Sequence, residues 1–198
     1  EAFGKSVYDQ SDISPMKNFE EREIAVIRQM LEKKIHSPLT SSVGRLFDAV
    51  ASIAGVRQIV RHEGQAAMEL EFALPESPID DCYNVSIIEG TLLQPQWIVD
   101  WSPMAAQLLD DVRRKIPLPI ITSKFHNMLV ESIIQVAERI GENRIVLTGG
   151  CFQNKYLLEK TICRLREEGF TPYWHQRIPP NDGGISSGQI FAFLRSQR

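Results

Sequence analysis

The feature that most narrows the fold is the order of elements in the last third of the chain. "NRIVLTGG" is a short apolar run closed by two glycines. "NKYLLEKTICRLREEG" follows with helical spacing, "FTPYW" reads as a strand, and "DGGISSGQIFAFLRSQ" as a last helix. A longer helix after "PLPIITS" precedes the run, carrying Phe125, Met128, Leu129, Ile133, Val136 and Ile140 inward. An α-β-α-β-α succession of this kind specifies an α/β lobe with helices packed against one sheet. The unbroken apolar character of "IVL" predicts a buried strand.

The first half is mostly helical. Residues 1–18 read as an irregular lead-in. "NFEEREIAVIRQMLEKK" reads as a helix capped by Asn18, with Glu21 three residues on and Ile24, Ile27, Met30 and Leu31 at helical spacing. "TSSVGRLFDAVASIAG" presents Val43, Leu46, Phe47, Val50, Ala51 and Ile53 on one broad face and stops at Gly55. "HEGQAAMELEFAL" is a third helix, ended by the Pro75 and Pro78 region. "YNVSIIEG" and "QWIVDW" predict two strands of a meander around "TLLQP". Ser102 at the cap and Pro103 at the first position start a helix running to about Lys115.

Composition excludes several function classes. Lys plus Arg is 22 against 25 for Asp plus Glu, a net charge of -3, which gives no basis for a nucleic-acid or anionic-membrane surface. No apolar run reaches the roughly 18 residues of a membrane span. Cys82, Cys151 and Cys163 form no CxxC pair, and their odd number suits a reducing, cytoplasmic compartment. The opening "EAFGKSVYDQSD" reads as the interior of a longer protein.

Four stretches hold candidate chemistry. In α/β sheets ligands seat beyond the C-terminal ends of the strands. "IVLTGG" places Gly149 and Gly150 there, where a missing Cβ lets a phosphate or ribose approach the backbone. Asn154 stands near the following helix start, whose N–H groups suit an anion. The pattern is neither GxGxxG nor GxxxxGK[ST], so on the bare pattern a plain tight turn is the leading reading. In "IPPNDGGISSGQ", Asp182 is either the cap of the last helix or a carboxylate offered to a hard divalent cation. Gly184 and Gly188, four apart, would allow a neighbouring backbone to pack closely. Asp48 in "LFDAVA" either accepts ribose hydroxyls or pairs with Arg45. Gly64 of "HEGQ" opens a helix bearing small and acidic residues. Its neighbours His62, Glu63, Glu69 and Glu71 match no metal spacing and read as a surface rim. His36, His126 and His175 are scattered, and no catalytic triad is legible.

Taken in order, "SSVGRLFDAVASIAG", "HEGQAAMELE", "IVLTGGCFQNKYL" and "IPPNDGGISSGQ" closely resemble the C-terminal part of the HypF carbamoyltransferases of [NiFe]-hydrogenase maturation. The likeness covers essentially the whole chain. A broader similarity joins it to TsaD-type tRNA threonylcarbamoyl transferases and antibiotic O-carbamoyltransferases. The resemblance implies one RNase H-like lobe of an ASKHA (actin and sugar-kinase-like) fold, with additional helices. It implies that residues 1–198 are the second lobe of a carbamoyltransferase domain within a longer chain.

The resemblance also implies an activity. Carbamoyl phosphate and ATP give carbamoyl-adenylate, and the carbamoyl group passes to the C-terminal cysteine of the partner HypE. By position, Asp48 matches the ribose-contacting acid and Gly64 a glycine of the nucleoside pocket. Gly149, Gly150 and Asn154 match the nucleotide-holding turn, and Asp182 matches a metal-ligand aspartate. The family's paired histidines, HxxxH, are absent from this chain. The fragment alone is therefore expected to be inactive. Cys151 is expected to be a small shielded side chain and not the acceptor. An O-carbamoyltransferase acting on a small-molecule hydroxyl, or a non-catalytic nucleotide-binding lobe, remain the competing readings.

Overall fold

The computed structural model describes residues 10–90 and 97–197. The chain is mixed α/β. It divides into two compact units, residues 1–128 and 129–198, with the boundary inside one long helix.

The first unit begins with a short helix α1 (Ser14–Lys17), where an irregular lead-in was expected. Asn18 closes α1: it stands at that helix's C-terminal cap in a helical conformation, its Nδ2 donating to the Ser14 carbonyl, two residues before the cap of the next helix. That helix, α2 (Glu21–Glu32), is capped instead by Glu20. The Glu20 carboxylate accepts from the N–H of Glu23, and the Glu23 side chain accepts from the N–H of Glu20. Helix α3 (Val43–Ile53) forms as its apolar spacing dictates. Ser42 accepts from the Arg45 N–H at its start, Phe47, Val50 and Ala51 are buried, and Gly55 leaves at φ +78°. Helix α4 (Gln65–Phe72) follows Gly64, which adopts φ +76°, a left-handed conformation that a side chain would disfavour.

Strands β1 (Ser86–Glu89) and β2 (Trp97–Asp100) pair antiparallel, as the meander reading predicts. The expected "TLLQP" link lies outside the described residues. Helix α5 (Ser102–Arg113) starts one residue earlier than expected, with Trp101 at the cap position. Asp100 Oδ1 accepts from both the N–H and the hydroxyl of Ser102, taking over the role expected of Ser102. Helix α6 (Leu118–Ile140) includes most of "PLPIITS", because Pro119 sits in the first turn where no backbone donor is required.

The core of this unit gathers Phe47, Leu70, Met104, Leu108 and Phe125, with the Phe47 and Phe125 rings edge to face at 4.9 Å. Its polar members are matched. The buried Asp111 carboxylate accepts from the Tyr83 hydroxyl at 3.0 Å and from Lys124 Nζ at 2.6 Å. Burial, and then the neighbouring Asp111 charge, pushes the Tyr83 phenol well above its ordinary range. His126 is fully buried and donates from Nδ1 to the Thr122 carbonyl at 2.7 Å. Burial lowers its pKa to about 4, so the ring is neutral.

The second unit is the end of α6 followed by β3 (Arg144–Leu147), α7 (Lys155–Glu167), β4 (Thr171–Trp174) and α8 (Ile185–Ser196). β3 and β4 pair parallel, with Arg144 opposite Thr171 and Leu147 opposite Trp174. The core joins Ile134 and Ala137 of α6, Leu147 of β3, and Ile162 and Leu165 of α7. The inward face of α6 here is set by Ile134 and Ala137; Ile133 and Val136 are half-buried and Ile140 is exposed. β3 is not the fully buried strand that its sequence predicts. Its Val146 is 67% exposed and faces the same way as the exposed Tyr173, because within this unit only the opposite face of the pair is covered. α8 likewise buries none of its residues, although Ile190, Phe191, Phe193 and Leu194 are apolar.

Candidate functional site

β3 ends in Thr148 and the two glycines. Gly149 adopts φ +104°, and a Cβ built there would meet nothing within 4 Å. The turn is thus both conformationally reserved for glycine and open beside the backbone. Gly150 begins a 3-10 turn, Gly150–Gln153, and is also uncrowded, with Gln153 Oε1 at 4.0 Å. The Phe152 N–H donates to the Gly149 carbonyl at 3.1 Å. Asn154 then caps α7, its Oδ1 accepting from the Leu157 N–H at 2.8 Å, and it is buried. Its side-chain oxygen therefore serves the helix first. Cys151 is half-buried in this turn, and that burial raises the thiol pKa, which lowers its thiolate fraction.

The Gly149 N–H donates to the Pro180 carbonyl at 2.9 Å. One backbone bond thus fastens the glycine turn to the "IPPNDGG" stretch at the C-terminal end of β3. Asp182 begins a 3-10 turn, Asp182–Gly184, that leads into α8. It is not the cap: Asn181 Oδ1 accepts from the Gly183 N–H at 3.0 Å, and Asp182 is exposed. Of two adjacent residues able to cap, the first holds the extended conformation that capping needs. A Cβ on Gly184 would lie 2.9 Å from the Pro179 carbonyl oxygen, so this glycine is required by close packing. Among the described residues the close neighbour expected at Gly188 is not found, since nothing lies within 4 Å of its built Cβ.

The other two candidates belong to the first unit. Asp48 is half-buried on α3 and pairs with Arg45, Oδ2 to Nη1 at 3.1 Å. Gly64 stands at the head of α4 with open space beside it. The acidic residues after it do not cluster for a metal. Glu69 instead receives a two-pronged bond from Arg57, at 2.9 and 2.5 Å, which holds the Glu69 carboxyl below its ordinary range. Among the described residues no group of three or more His, Cys, Asp or Glu side chains is placed to hold a metal ion. Asp182 alone is a one-donor set. The open backbone at Gly149 and Gly150 does fit close approach by a phosphate or ribose.

One residue pair escaped the sequence reading. Thr148 and His175 directly follow the last paired positions of β3 and β4, and Thr148 Oγ1 lies 2.9 Å from His175 Nε2. The available signal was positional: each residue immediately follows a predicted strand.

The fold and this strand end define a class, an α/β lobe with a glycine turn and an acidic turn fastened together beyond β3. The chain matches over residues 3–189 the family described as "Carbamoyltransferase, Kae1-like Domain, second subdomain", and it belongs to that family. Among curated relatives it is 39% identical over 172 residues to the carbamoyltransferase HypF of Synechocystis sp., covering 87% of this chain and 22% of that one. With the carbamoyltransferase HypF of Rhizobium leguminosarum bv. viciae the identity is 37% over 171 residues, covering 84% and 21%. A crystal structure of full-length HypF in a phosphate- and nucleotide-bound form superposes with a TM-score of 0.83 at 36% identity, covering 95% of this chain and 30% of that one. T. kodakarensis HypF, at 23% identity and a TM-score of 0.71, shares the fold. The chain spans between a fifth and a quarter of the length of the curated relatives named here. No helix among the described residues is long and apolar enough to cross a membrane.

Proposed function

We propose that this chain is the second lobe of a HypF-type carbamoyltransferase domain within a longer cytoplasmic protein, and that it holds the nucleotide during carbamoyl transfer. The observation that carries the reading is the Gly149 N–H to Pro180 carbonyl bond, which gathers the glycine turn and the acidic turn at one strand end. The HypF structure whose description names bound phosphate and nucleotide supports it.

In this reading Gly149 and Gly150 let the nucleotide phosphate or ribose lie against the backbone. Asn154 fixes the head of α7 beneath them, and Asp48 and Gly64 contribute to the nucleoside pocket. Asp182 is the carboxylate that this lobe contributes to a divalent metal, the remaining ligands coming from elsewhere in the longer protein. Carbamoyl phosphate and ATP supply carbamoyl-adenylate. The HypE C-terminal thiolate attacks its carbonyl carbon, the bond to the phosphate oxygen breaks, and AMP leaves with the electron pair. The lobe's contribution is to fix the nucleotide so that the carbonyl faces its acceptor.

The test uses the full-length protein with carbamoyl phosphate and ATP, offering either a HypE C-terminal peptide or small-molecule hydroxyl acceptors. Carbamoylation of the peptide cysteine is expected. Transfer only to a hydroxyl would assign an O-carbamoyltransferase, and nucleotide binding without transfer to any acceptor would leave a binding lobe. The isolated chain is expected to melt cooperatively yet transfer nothing above background.

A further inference from the structure

Leu147 and Trp174 are the last paired residues of two parallel strands, so Thr148 and His175 leave the sheet side by side at its C-terminal end. Their side chains meet, Thr148 Oγ1 to His175 Nε2 at 2.9 Å, and His175 is exposed. Thr148 is covalently joined to Gly149, whose N–H is fastened to Pro180. The imidazole therefore stands at the strand end where α/β sheets take their ligands, beside the open glycine turn. The residue before it is also fixed: Trp174 packs against the Leu147 and Leu165 cluster, and the Arg166 guanidinium lies 5.5 Å from its ring centre.

We propose that His175 is a ligand-contacting residue of this site, oriented by Thr148 and offering its Nδ1 to a phosphate oxygen. The inference rests on the nucleotide-binding reading above. A hydroxyl can donate to Nε2 or accept from it. When Thr148 donates, the neutral ring carries its proton on Nδ1. When the ring is an imidazolium, Thr148 accepts and Nδ1 again carries a proton. Both states present an N–H donor away from Thr148, which an oxyanion accepts. The third state, with the proton on Nε2 alone, presents a bare nitrogen that a phosphate would repel. An anion at this place selects the two donor states. Among the described residues no other hydrogen bond is made to this ring. A purely mechanical role, stapling the ends of β3 and β4, predicts something different. It would weaken the binding of every ligand together with the fold.

The experiment uses the full-length protein and its His175→Ala and Thr148→Val variants, with AMP, adenosine and inorganic phosphate titrated separately by calorimetry. His175→Ala is expected to weaken AMP binding about tenfold, the scale of one hydrogen bond to a charged group. Adenosine affinity should stay within about twofold, and the melting temperature should hold. Thr148→Val should give a smaller loss of the same selectivity. Loss confined to inorganic phosphate, with AMP unchanged, would assign the same oxyanion contact to free phosphate. Equal losses for AMP and adenosine, or no loss for AMP or phosphate, would overturn the proposal. A parent protein that binds neither AMP nor adenosine would overturn the nucleotide reading itself, and this proposal with it.

Discussion

The polar groups of the two units are arranged in opposite ways. In the first unit Asp111 is buried and serves both Tyr83 and Lys124, while His126 is sealed against Thr122, Phe47 and Phe125. At the end of β3 in the second unit, the glycine turn, Asp182 and His175 face open space. Asp182 and His175 are exposed, and nothing crowds Gly149. A polar group with its partners built in contributes to one folded arrangement. A polar group held in place but left open is available to a ligand. The contrast predicts that substitutions in the first set act on stability and those in the second on binding.

The largest expected effect is at Asp111. Asp111→Ala leaves a mostly buried ammonium and a buried phenol without their shared acceptor, and should cost about 3 kcal/mol of stability by urea unfolding. A loss under about 1 kcal/mol would show that the cluster is not a structural pin.

His126 sharpens the comparison through pH. Its folded pKa, about 4, lies below the ordinary 6.5, so the unfolded chain binds the proton more readily between those values. This group therefore leaves stability untouched above pH 6.5 and removes it as pH falls toward 4, by up to about 3 kcal/mol. His126→Gln should flatten that part of the pH profile. An unchanged slope would place its origin in other groups.

Asp182→Asn should do the reverse of Asp111→Ala. Because Asn181 holds the cap, stability should move by no more than about 0.5 kcal/mol. Divalent-metal affinity and carbamoyl transfer in the full-length protein should fall together. Wild-type metal affinity in that variant would end the ligand reading. The smallest effect is expected at Cys151. Cys151→Ser in the full-length protein should leave transfer nearly unchanged, since burial keeps the thiol protonated. A loss above about a hundredfold, roughly 2.7 kcal/mol, would give this cysteine a part in the chemistry.

Much of the fold was legible in the sequence, for physical reasons. Helices α3 and α7 combine regular apolar spacing with a side-chain cap and a closing glycine, and β3 and β4 are short apolar runs bounded by glycine or polar turns. Caps were less legible where two candidates compete. Asn18 and Glu20, or Asn181 and Asp182, differ only in which residue the chain holds in the extended conformation. The burial of β3 and α8 was not legible, since an apolar residue states what it would prefer and not which surface reaches it. The candidate residues around Gly149 and Asp182 could be read from motifs. His175 could not, because its meaning comes from the β3–β4 register and not from its neighbours in sequence.

The bond from Gly149 to Pro180 also makes one proton into a clock. Pro179 and Pro180 carry no amide hydrogen, so that stretch is silent to hydrogen–deuterium exchange. The Gly149 amide speaks for it, since its proton is held by the Pro180 carbonyl and exchanges when the two strands of backbone part. Its exchange rate reports how often the glycine turn and the acidic turn separate. A ligand seated against both would slow that one amide, and so time the closing at the two prolines, which have no amide signal of their own.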